Sequence, residues 1–148
     1  MAAKIGLDAK LYYSTAIGGT PSWQEIKSAR DVTLNLEKGE ADTSTRGNDG
    51  WRTRLATLKD ASVEFEILAD PEDAGYAALA NAFFNNQKIQ MAIMDGPITD
   101  SSSQGLRAVM EVFSFSRSEP LEEALTISVS VKPAPDTSNP SWISGSAT

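Results

Sequence analysis

Neither cysteine nor histidine occurs among the 148 residues. Without cysteine there is no disulfide framework, no thiolate nucleophile and no cysteine-type zinc site, and the redox compartment leaves no mark on the chain. Without histidine the commonest general base and the commonest metal ligand are missing, which excludes Ser-His-Asp catalysis and the usual transition-metal sites. Basic residues are the minority charge: 13 Lys and Arg against 20 Asp and Glu give a formal charge of −7 and a pI near 4.5. A groove that grips nucleic acid neutralises phosphates with Lys and Arg, so binding of that kind is not expected. No stretch approaches ~18 apolar residues, and the start, Met1 to Asp8, has no apolar run of signal-peptide length. The expectation is a soluble protein made in the cytoplasm, with no membrane insertion and no cofactor or metal.

What is present is ordinary globular usage, 41% hydrophobic and 22% charged, enough for one domain with a real core. Period-two alternation predicts a first strand at Leu7, Ala9, Leu11 and Tyr13, followed by a turn at Gly18 to Pro21 and a short strand near Trp23 and Ile26. Val32, Leu34 and Leu36 alternate with Thr33, Asn35 and Glu37, and Val63, Phe65 and Ile67 with Glu64, Glu66 and Leu68. Each of these strands wants a core on one face only. Ile89, Met91 and Ile93 begin another. Arg107 to Phe115 carries apolar side chains on both sides, as a central strand does. Leu125, Ile127, Val129 and Val131 alternate with Thr126, Ser128, Ser130 and Lys132, leaving a row of small hydroxyls outside. Asp70 as N-cap and Pro71 at the first helical position predict a helix over 71–85, with Tyr76, Leu79, Ala80, Phe83 and Phe84 as one apolar stripe. From Pro133 the tail is polar and proline-rich, extended, with Trp142 and Ile143 as docking points. The class is mainly β: an antiparallel sandwich or partial barrel with one flanking helix and a long hairpin arm, the domain over 1–132 and the tail over 133–148.

The arm, Lys38 to Arg54, is the distinctive stretch. Its first half has no large apolar side chain, and ordering backbone costs roughly 1–2 kcal/mol per residue, so burial cannot hold it. It is either a mobile surface loop or a segment ordered by a neighbouring subunit. Trp51, Arg52 and Arg54 favour the second, because Trp and Arg are enriched at interface anchors. Lys38, Glu40, Asp42, Arg46, Asn48 and Asp49 supply the polar remainder, with Asn48, Asp49 and Gly50 suited to the tip.

Chemistry finds little purchase. Gly18 and Gly19 lack the downstream Lys-Ser/Thr of a phosphate loop. Asp42, Asn48 and Asp49 do not have the spacing of a calcium loop. Glu64 and Glu66 share a strand face with no aromatic platform beside them, and Glu111, Glu119, Glu122 and Glu123 form no evident acid/base pair. No enzymatic activity is expected.

Asp31 to Gly47, the strand Leu58 to Glu66, the single capped helix and Phe115 to Glu123 ahead of the hydroxyl-faced strand together resemble the major tail tube proteins of long-tailed bacteriophages, over about Ile5 to Lys132. The resemblance implies a tail-tube sandwich assembled into stacked hexameric rings, a conduit for DNA ejection, resident in the virion tail after assembly in the host cytoplasm. It implies as partners other copies of the chain and the tape measure, tail terminator and tail tip proteins, with DNA passing through unbound. Lys38 to Arg54 would be the inter-subunit arm. Thr33, Asn35, Glu37, Glu64, Glu66, Thr126, Ser128 and Ser130 are candidates for the lumen wall. No additional C-terminal immunoglobulin-like domain follows, so a bare tube subunit is expected. Tubes of contractile tails or secretion systems, and a monomeric sandwich that binds carbohydrate or protein, remain alternatives.

Overall fold

The computed structural model describes residues 6, 9–16, 20–119, 121–135 and 139–144. Among these residues eight strands and one α-helix follow in the order β1 (Lys10–Ser14), β2 (Gln24–Glu25), β3 (Ala29–Asp42), β4 (Arg54–Leu68), α1 (Ala74–Phe84), β5 (Ile89–Met94), β6 (Gln104–Ser118), β7 (Thr126–Pro133) and β8 (Ser141–Ser144). All strands join one antiparallel sheet in the order β2-β1-β5-β6-β7-β4-β3, with β8 alongside β6. Leu7, Gly18, Gly19 and Pro120, which the sequence reading assigned to a strand, a turn and a break, lie outside the described residues.

The alternation of the sequence becomes the core. Val63, Phe65 and Ile67 from β4, Ile127, Val129 and Val131 from β7, and Leu106, Ala108, Met110 and Val112 from β6 form one buried cluster with Leu11, Ile26 and Met91. Strands near both ends of the sheet contribute to this one cluster, so the sheet rolls around it. Long β6 makes the roll possible: its first half pairs with β5 and β8, its second half with β7. The other face of β5 buries Ala92 and Met94 with Ile98 under Tyr12, Trp23 and Ile143. The tail is therefore not wholly outside the domain, since β8 pairs with Gln104–Arg107 and Ile143 packs inward.

The helix begins one turn later than the sequence reading has it. Asp73, not Asp70, is the N-cap, its carboxylate accepting from Gly75 N–H at 3.0 Å. Asp70 instead accepts from Glu72 N–H and Asp73 N–H, closing a turn ahead of the helix. The second Asp73 oxygen accepts from the Ser28 hydroxyl at 2.6 Å, which ties the helix to the entry of β3. The buried face is Gly75, Leu79 and Ala82. Tyr76 and Phe83 flank it against Phe115 of β6, while Phe84, expected in the stripe, is 72% exposed.

Candidate assembly surfaces

The expected hairpin arm is present, and for most of its length it is paired strand rather than loop. β3 and β4 continue past the core as a two-stranded ribbon, pairing Lys38 with Lys59, Glu40 with Ala56, Ala41 with Leu55 and Asp42 with Arg54. Cross-strand backbone bonds, unlike burial, need no apolar side chain, so the ribbon orders itself without a neighbour. Its tip is a short 3-10 turn, Arg46–Asn48, leading to Asp49 and Gly50 at positive φ of 52° and 82°. Thr43 and Thr53 share a hydroxyl contact at 2.8 Å, Ser44 Oγ accepts from Thr53 N–H, and Asn48 donates to Thr53. Hydrogen bonding from Ser44 also holds the Asp42 carboxyl below the usual carboxylate range. Arg54 and Glu40 pair across the ribbon at 3.3 Å. No such partner holds the large apolar groups. Trp51 is 76% exposed, Leu58 84% and Leu36 53%, so the apolar face of β3, which the alternation assigned to the core, is mostly bare beyond Leu34.

On the opposite face the register gathers the candidate wall residues. Thr33 lies opposite Glu64, Asn35 opposite Ser62, and Glu37 opposite Asp60. Glu64 in turn lies opposite Ser130, Glu66 opposite Ser128, and Leu68 opposite Thr126. Strand pairing puts cross-strand partners on one side of the sheet, so all eight proposed residues share a face. Thr33, Glu64, Glu66, Ser128 and Ser130, with Ser114, line a shallow hollow of about 310 Å³ there. Arg30, opposite Glu66, pairs with it at 3.6 Å. The sequence reading missed Asp60, Ser62, Ser114 and Ser116. Asp60 and Ser62 continue the β4 alternation backwards and were legible. Ser114 and Ser116 were hidden by a register shift between Val112 and Ser114, which changes the phase of β6 halfway along.

This polar face belongs to four strands, β6, β7, β4 and β3, whose two edges are both open. β5 leaves β6 at Met110, so among the described residues the second half of β6 has a strand on one side only. Among the described residues the outer side of β3 pairs with no strand. A bulge at the start of β3, with Asp31 at φ 53°, sets two residues against Phe65 and shifts the phase between Arg30 and Thr33. Because the four strands alternate in direction, the two open edges run oppositely.

Among the described residues no cluster of three or more acidic groups suits a metal ion, and no helix is long and apolar enough to cross a membrane. Tyr13 is pushed up by burial and, secondarily, by Asp73, and its hydroxyl donates to Gln24 at 2.8 Å.

Comparisons with known proteins agree with this geometry. The family described as phage tail tube protein matches residues 9–134. Curated proteins give no match. Among solved structures, the chain is similar to the tail of the empty GTA particle with C6 symmetry, at 15% identity and a TM-score of 0.73 over 96% of this chain and 100% of that one. It is similar to the SPP1 tail tube at 20% identity, TM-score 0.69, over 88% and 75% respectively. The 6-fold symmetrised baseplate of the anti-feeding prophage has a similar chain at 9% identity, TM-score 0.63, with 99% of each covered. At these identities the likeness to the solved structures is one of fold.

Proposed function

Because the chain belongs to the phage tail tube protein family, we propose that six copies close into a ring and that rings stack into the tube through which DNA leaves the virion. The observation that carries this is the four-stranded polar sheet with two open edges of opposite direction. Setting β3 of one copy beside the second half of β6 of the next continues the antiparallel order without a break, and closing the circle removes both edges. Six copies would give a barrel of 24 strands, four from each. An open edge strand is a liability in a lone subunit, and ring closure turns it into the contact.

In this reading Thr33, Asn35, Glu37, Glu64, Glu66, Thr126, Ser128 and Ser130 line the lumen, because they occupy the face away from the core and helix. The arm from Lys38 to Arg54 reaches a neighbouring copy with Trp51. The protein acts by assembly and catalyses nothing. Its further partners are the proteins that set tube length and close its ends, and its place is the virion tail after assembly in the host cytoplasm.

Electron microscopy of the purified full-length chain over a concentration series tests this. Sixfold rings or tubes are expected at high concentration. A chain that stays monomeric throughout would overturn the reading and favour a lone binding module.

A further inference from the structure

A groove of about 990 Å³ opens where the arm leaves the domain, between the β3–β4 ribbon and the start of β8. Its apolar floor includes Leu36, Leu106, Phe113 and Trp142, of which Leu36, Phe113 and Trp142 are exposed. Lys38 and Lys59 stand at its wall, directly opposite one another in the ladder. The register puts them on the side of Leu36 and Ala61, and Glu37 and Asp60 on the other. Like charges directly across a strand pair repel. Neither lysine has an ion-pair partner among the described residues. Lys132 lines the groove as well, and Glu37 and Asp60 reach it from the other side of the ladder, so the site is apolar beneath and carries three ammonium groups against two carboxylates, a net positive charge.

The exposed apolar groups of the same chain offer one fit. Trp51 comes with Arg46, Arg52 and Arg54, and Leu58 adjoins Lys59, so either would bring cations to cations. Leu121 is 100% exposed and lies among Glu119, Glu122 and Glu123 in the β6–β7 turn. That turn and the groove sit at opposite ends of the same strands: Ser118 pairs with Thr126 beside the turn, whereas Pro133 lines the groove. One copy cannot fill its own groove with its own turn, but a second copy placed end to end can.

We infer that the Leu121 turn of one copy docks in the Lys38–Lys59 groove of another in the adjacent ring, so that this contact, with the arm, stacks the rings head to tail. The contact is heterologous, with an acidic end meeting a basic groove, so each copy keeps one unfilled half and the stack grows with a fixed polarity. The inference rests on the tube reading.

Two charge-reversed chains test it: Glu122→Lys with Glu123→Lys, and Lys38→Glu with Lys59→Glu. All four positions are exposed, and circular dichroism confirms that each chain folds. Each variant should still close into rings in electron micrographs, while the concentration needed for tubes rises at least about tenfold. The chain carrying all four changes should recover tubes, because its charges are again complementary. Tubes formed by either variant at the wild-type concentration would overturn the docking contact while leaving the tube reading intact. Loss of rings in the groove variant would also overturn it, by assigning the groove to the contact within a ring. A wild-type chain that forms neither rings nor tubes would sink the tube reading, and this inference with it.

Discussion

At the scale of single residues, the sheet depends on positions where a side chain is missing. At Gly105, opposite Met94 in the β5–β6 pairing, an added Cβ would sit 1.8 Å from the backbone oxygen of Ile93. Backbone cannot rotate away as a side-chain tip can, so Gly105→Ala must push β5 from β6 where both cover the core. The expected cost is about 1–3 kcal/mol, read by urea unfolding. Wild-type stability in that variant would show that the two backbones do not approach so closely. Gly39 is the milder case, because the added Cβ would meet only the Thr57 hydroxyl, a group that a rotamer change removes. Asp73 works by addition instead: one carboxylate caps the helix and binds Ser28, joining a local signal to a tertiary one.

At the scale of elements, what was legible followed the physics of burial. Strands with one face on the core, β4 beyond Ala61 and β7, stood out because burial imposes alternation. The far half of the β3–β4 ribbon carries no such alternation, since a ribbon with both faces wet imposes no period, so the hairpin arm was expected from the resemblance and its length, not from a strand pattern. The helix start was misread because Asp70 and Asp73 both qualify as caps. The choice lay with Ser28 and with Gly75 packing against Ile26, contacts distant in sequence. β8, with four residues, is too short for a pattern. The candidate wall residues were legible as members of a face, whereas their convergence on one sheet depended on non-local pairing. The arm gives a prediction at this scale. Trp51 touches little in the lone chain, so Trp51→Ala should leave monomer stability within about 0.5 kcal/mol. Assembly should weaken by about 2 kcal/mol or more, seen as a higher polymerisation threshold. Unchanged polymerisation would reduce Trp51 to an exposed ribbon residue with no part in the contact.

At the scale of the whole molecule the charge balance bears on passage. The polar sheet carries Glu37, Asp60, Glu64 and Glu66, with Asp31 at its hollow, against Arg30: five carboxylates to one guanidinium, a net −4 for each copy and six times −4, or −24, for a ring. Glu111 and Lys132, paired across β6 and β7, cancel. On the proposed lumen reading, a phosphate backbone inside such a ring would meet like charge and short hydroxyls, which repel it rather than grip it. Glu64→Lys tests this most cleanly. Glu66 already pairs with Arg30, so reversing it would set two cations together, whereas Glu64 lies opposite only Thr33 and Ser130. Particles built with Glu64→Lys tubes should assemble normally yet release DNA more slowly, because six inward cations per ring replace six carboxylates. Added salt should restore the rate, since a Debye length of about 10 Å at 0.1 M shrinks to about 3 Å at 1 M and screens the new contacts. Full-speed release at low salt would place Glu64 outside the channel and reassign the whole polar face to the outer surface of the tube.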